Sequence, residues 1–94
     1  MKKLLFTSPS CGPCKLLKGD LDELGYLSEY KELDVTQESS KELIAYCGIR
    51  SVPALVVIGD SEEIKRVRVG YTGSKDKLLE FLADVKQTEL ERRE

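Results

Sequence analysis

Apolar residues along this chain fall into short runs divided by polar, glycine- and proline-marked breaks, and their period changes from one run to the next. Within residues 3–7, the run Leu4-Leu5-Phe6 predicts a short buried strand. Ser8, Pro9 and Ser10 predict a turn. A helical pattern follows, in which Cys14, Leu17, Leu21 and Leu24 recur at steps of three, four and three and so share one face. Gly19 weakens that helix and Gly25 suits its end. Residues 30–35 predict a second strand with Leu33 and Val35 on one side. Thr36 is expected to cap the next helix, with Glu38 in its first turn, Leu43, Ile44 and Cys47 on its apolar side and Gly48 at its end.

Ser51-Val52-Pro53 then turns the chain into Ala54-Leu55-Val56-Val57-Ile58, an uninterrupted apolar run suited to a central strand buried on both faces. Gly59-Asp60-Ser61 is a turn signal. Residues 64–69 alternate, with Val67 and Val69 facing one way and Arg66 and Arg68 the other, which predicts a half-buried strand near a sheet edge, where charge discourages unwanted pairing. Gly70 to Gly73 reads as a loop. Ser74 is placed to cap a last helix carrying Leu78, Leu82 and Val85, reinforced by Leu79 and Phe81, and fraying beyond Val85 where the chain turns polar.

The element order is strand, helix, strand, helix, strand, strand, helix. Alternating strands and helices imply parallel pairing through right-handed crossovers, while the last two strands, joined by a short turn, must pair antiparallel. The expectation is one α/β domain over residues 1–94, with a central mixed four-stranded sheet and three helices.

Composition narrows the function classes. Ninety-four residues leave no room for a second core. A net charge of −2, with both signs interspersed, gives no electrostatic footprint for nucleic acid. The apolar run after Lys2 and Lys3 stops within three residues, short of the roughly 7–15 of a secretion signal, and nothing approaches the roughly 20 of a membrane span. A cytoplasmic monomer, bound to neither membrane nor nucleic acid, is expected. In that compartment stable disulfides are rare.

The three cysteines are Cys11 and Cys14, in Cys11-Gly12-Pro13-Cys14, and Cys47. Two cysteines at this spacing are half a zinc site, but the chain has no histidine and one further cysteine, so the other half is missing. Redox chemistry is the better use of the pair, with a static disulfide as the plain alternative. No metal and no cofactor are expected. Cys47 fits the apolar face of its helix, where a free cysteine acts as a small hydrophobe; a regulatory thiol is the alternative.

With these elements in place, the chain resembles the thioredoxin family over nearly its whole length. The Cys11-Gly12-Pro13-Cys14 motif with Lys15, the segment Gly48-Ile49-Arg50-Ser51-Val52-Pro53-Ala54-Leu55, and Val69-Gly70 carry the resemblance. The chain starts at the strand before the motif, as in minimal thioredoxin- and glutaredoxin-like proteins. The resemblance implies a minimal thioredoxin fold, Cys11 and Cys14 as the catalytic pair, and Gly12 and Pro13 as motif residues. It further implies a cis bond before Pro53 and a substrate groove formed by Val52, Pro53 and Gly70.

The thiolate is the attacking species, and a helix start favours negative charge on Cys11. Thioredoxins hold that thiol near a pKa of about 7, and the resemblance alone extends this value to Cys11. Falling to it from about 8.5 raises the thiolate fraction at pH 7 about fifteen-fold, while intrinsic nucleophilicity drops about five-fold at a Brønsted slope near 0.45. The net gain of about three-fold leaves most of the advantage to leaving-group ability and to the proximity of Cys14.

Two family features are missing. Leu5 stands six positions before the first cysteine, where many thioredoxins carry a buried acid, and Ser10 replaces a tryptophan. Glu32 is the candidate substitute acid, although a solvated edge carboxylate is the simpler reading. The implied function is a protein disulfide reductase whose electrons come from a flavin-containing thioredoxin reductase. Its rivals are a glutathione-dependent glutaredoxin, whose glycine-pair-then-acid motif is not evident in residues 70–74, and a non-catalytic protein-binding module.

Overall fold

The structure, a computed structural model, describes residues 1–91. Four strands, β1 (Lys2–Thr7), β2 (Lys31–Asp34), β3 (Ala54–Ile58) and β4 (Ile64–Val69), form one sheet in the order β2-β1-β3-β4. Three helices, α1 (Gly12–Glu23), α2 (Lys41–Cys47) and α3 (Lys75–Glu91), cover it. The expected α/β class, element order and mixed four-stranded sheet are all present.

Alternating side chains on β1 and β3 feed two cores. Leu5, Leu55 and Val57 pack with Leu17 and Leu21 of α1 and with Leu78, Phe81, Leu82 and Val85 of α3. Leu4, Phe6, Ala54, Val56 and Ile58 face the other way, toward Leu43, Ile44 and Cys47 of α2. Cys47 is therefore partly buried packing, and burial pushes its thiol pKa up.

One pairing departs from expectation. β1 and β2 are parallel, but β3 runs antiparallel to β1, with Phe6 opposite Ala54 and Lys2 opposite Ile58. A parallel β3 requires a crossover that carries the chain back along the sheet. At about 1.5 Å per residue, the seven residues of α2 advance only about 10 Å. The chain re-enters the sheet at the end where β1 finishes, with Ala54 opposite Phe6. Pro53 is delivered to the same end as the cysteine motif.

Local details correct other expectations. Thr36 does not cap α2: its N–H and hydroxyl both donate to Asp34 Oδ1, at 2.9 and 2.7 Å, and a 3-10 turn at Glu38–Ser40 precedes the helix. The near carboxylate captures the threonine before the helix can. Gly25 ends α1 as expected, at φ +82°, with Gly25 and Tyr26 N–H groups bonded to Asp22 and Leu21 carbonyls. Ser74 Oγ accepts from Lys77 N–H at the start of α3. That helix does not fray at Val85 but continues to Glu91, with Thr88 buried. Leu79 lies outside the core, 44% exposed.

β4 also reverses its expected burial. Val67 and Val69 are 46% and 52% exposed, because their side of the sheet extends beyond the cover of the short α2. Arg68, expected outside, is the most enclosed residue of the strand.

Leu5 is fully buried between β3 and α1, so Leu5→Ala is expected to cost about 2–5 kcal/mol of stability. Urea unfolding at neutral pH reads this directly, and a loss below about 1 kcal/mol would mean the site collapses around the smaller side chain.

Candidate functional site

A helix leaves its first amides without internal partners. At the start of α1, Cys11 occupies the N-cap with extended backbone, and its sulfur accepts the Cys14 N–H at 3.1 Å. Gly12 and Pro13 form the first two helical positions, where the missing N–H of proline breaks no helical bond. No acidic side chain enters this first turn. Cys11 and Cys14 form a disulfide with their Cα atoms 5.2 Å apart. Their exposures differ: Cys14 is 1% exposed, whereas Cys11 is only partly covered and Gly12 and Pro13 are open to solvent.

Val52, Pro53 and Gly70, the residues expected to form a groove, gather at the same end of the sheet. The Val52–Pro53 peptide bond is cis, and Pro53 lies one step beyond the Phe6–Ala54 pair. Gly70, at φ +85°, donates its N–H to the Pro53 carbonyl at 2.8 Å. Pro53 is buried and Val52 is half-buried. Beside Val52 lies an apolar hollow of about 240 Å³ bounded by Val35, Ile44 and Ile49, with Arg50 at its rim.

On the other side of the disulfide, a cleft of about 360 Å³ is lined by Cys14, Thr7, Lys18, Glu32 and Asp34, among others. Glu32 is on the exposed edge strand, yet its carboxylate is held: Thr7 Oγ1 donates to it at 2.8 Å and Lys18 Nζ lies 3.0 Å away. Lys18 first, then Thr7, holds its pKa below the ordinary 4.5. A carboxylate held low is a weak base at neutral pH.

Two residues of this end were missed in the sequence. Asp20 of α1 is 9% exposed, and its Oδ2 accepts a hydrogen bond from the hydroxyl of Tyr71, itself 8% exposed. Asp20 lies three after Leu17, on the margin of the buried face, and its charge alone reads as surface; the Tyr71 hydroxyl, arriving from a distant loop, meets it there.

The sheet and its disulfide at a helix mouth define a thioredoxin-type oxidoreductase fold. Known proteins agree. The family model described as Glutaredoxin matches residues 4–62. The SPbeta prophage-derived thioredoxin-like protein YosR of Bacillus subtilis is 30% identical over 83 residues, covering 87% of this chain and 99% of YosR. Thioredoxin 1 of Synechococcus elongatus is 30% identical over 64 residues, 66% of this chain and 60% of that protein. Among solved structures, the germline-specific thioredoxin Deadhead of Drosophila melanogaster superposes with a TM-score of 0.67 at 26% identity, over 87% of this chain and 77% of Deadhead. The chain belongs to the thioredoxin family in the broad sense that includes glutaredoxins. Among the described residues no His/Cys/Asp/Glu group suits a metal ion, and no helix is long and apolar enough to cross a membrane.

The Glu32 contacts carry a pH dependence. A carboxyl whose pKa is depressed on folding adds stability above its unfolded pKa, and that contribution is lost as pH falls through the folded value. Glu32→Gln is expected to reduce the difference in urea midpoint between about pH 7 and about pH 3. The reduction is small, because the carboxylate is 41% exposed and solvent screens it. Disulfide-reducing turnover is expected to stay nearly unchanged in the same variant. A loss of about ten-fold would instead make Glu32 the acceptor of the Cys14 proton.

Proposed function

We propose that this chain is a protein disulfide reductase that cycles Cys11 and Cys14 between dithiol and disulfide. In the reduced protein, the Cys11 thiolate attacks one sulfur of a substrate disulfide. A mixed disulfide forms and the first substrate thiolate leaves. Cys14 then gives up its thiol proton and attacks the Cys11 sulfur, closing the intramolecular disulfide and releasing the second substrate thiolate. Two electrons pass to the substrate, and its sulfurs take up two protons. A thioredoxin reductase of the flavin-containing class is the expected source of the next electron pair.

The observation that carries this reading is the unequal exposure of two bonded cysteines at a helix N-terminus. The accessible Cys11 sulfur is the one toward which the Cys14 amide points. That donor and the helix dipole favour negative charge there and improve the sulfur as a leaving group. The buried Cys14 is protected from solution disulfides but stays within bonding reach of Cys11. Val52, Pro53 and Gly70 are the proposed docking groove, in which the Val52 backbone bonds an extended substrate segment.

Cys11→Ser is expected to abolish insulin disulfide reduction. Cys14→Ser is expected to leave a long-lived mixed disulfide on Cys11, visible as a mass increment that a reductant removes. Retained activity in Cys11→Ser would falsify the reading.

A second reading has its own support, because the matching family description is Glutaredoxin. There, glutathione regenerates the dithiol. Insulin reduction supplied with glutathione alone, or with a thioredoxin reductase and its nicotinamide cofactor, separates the two. The expected result is turnover with the reductase and little with glutathione.

A further inference from the structure

The loop after β4 is fastened to the active-site helix along a single stripe. Leu16, Asp20 and Glu23 of α1 are spaced four and three apart and so share one helix face. Each meets a different part of the loop and its exit. A β-carbon built on Gly73 would lie 3.4 Å from Leu16 Cδ2. Asp20 accepts the Tyr71 hydroxyl hydrogen bond, and Glu23 pairs with Lys75 at 2.6 Å. The outer two contacts are solvent-exposed and weak. The middle one is buried and joins a carboxylate to a phenol, so it is the strong member of the three.

Burial first, then the hydrogen bond to Asp20, pushes the Tyr71 pKa up to about 12, so the phenol keeps its proton at neutral pH and stays a donor. The Arg68 charge opposes that shift in part.

Tyr71 directly follows Gly70, whose N–H holds the Pro53 carbonyl. A continuous path therefore runs from the helix bearing both cysteines, through Asp20 and Tyr71, to Gly70 and Pro53. We infer that Asp20 and Tyr71 are positioning residues that lock the groove loop to the active-site helix, setting a docked protein segment in register with Cys11. Neither touches the reacting sulfurs. The inference rests on the reductase reading and adds to it a determinant of protein-substrate binding.

Steady-state reduction of insulin and of a small aromatic disulfide is measured for wild type, Asp20→Asn, Tyr71→Phe and the double variant. With the lock released, KM for insulin is expected to rise about ten-fold in each single variant. The double variant should be no worse than the worse single one, because both remove the same bond. Turnover of the small disulfide, which needs no groove, and the rate of Cys11 alkylation in the reduced protein should stay within about two-fold.

Tyr71→Phe removes one hydroxyl and keeps the ring, so it serves even where Asp20→Asn folds poorly. In it, hydrogen exchange at the Gly70 amide is expected to quicken by about ten-fold. An insulin KM within two-fold of wild type together with unaltered Gly70 exchange overturns the inference. So does an equal loss with both disulfides, since that marks a disturbed helix and not a misplaced groove. Failure of the wild-type protein with either disulfide would instead count against the reductase reading.

Discussion

An α-helix presents unpartnered amides at its start, and here the Cys11 sulfur takes the N–H of Cys14. That bond fixes the cysteine motif as the first turn of α1, and hence the order of the two sulfurs. The outer one caps the helix and the inner one is its third residue, carried into the core beside the buried Leu17 and Leu21. Everything chemical about the site follows from this asymmetry. The partial positive charge of the helix end acts on the accessible sulfur, while burial shields its partner.

The proposed groove depends on how β3 joins the sheet. After the seven-residue α2, β3 enters antiparallel to β1 from the cysteine end. The short α2 leaves Val67 and Val69 of β4 uncovered. The antiparallel entry puts Pro53 at the end of the sheet where β1 runs into the cysteine motif. The opposite face, under α1 and α3, carries the larger core and anchors α1.

Enclosing a carboxylate on that better-packed side costs several kcal/mol unless hydrogen bonds and opposite charge offset it. Asp20 receives a hydrogen bond from Tyr71. Arg68, which breaks the expected in-out alternation of β4, lies opposite Leu55 on the α1 side of the sheet.

Much of this was legible from residue order alone. The runs Leu4-Leu5-Phe6 and Ala54–Ile58, the three-four-three spacing in α1, Gly25, Gly48 and Ser74 are local signals whose physics acts within a few residues, and the structure agrees with them. The Cys11-Gly12-Pro13-Cys14 motif belongs with them, because a helix cap and a loop of three residues need no distant partner. Tertiary structure decided the rest. Whether β3 ran parallel or antiparallel was settled by the end at which the chain re-entered the sheet after α2. Whether Val67 was covered depended on where that helix lay, and whether Asp20 was surface or core depended on a tyrosine 51 positions away. Periodicity reports which side of an element a residue faces, but what waits on that side is set by the path of the whole chain.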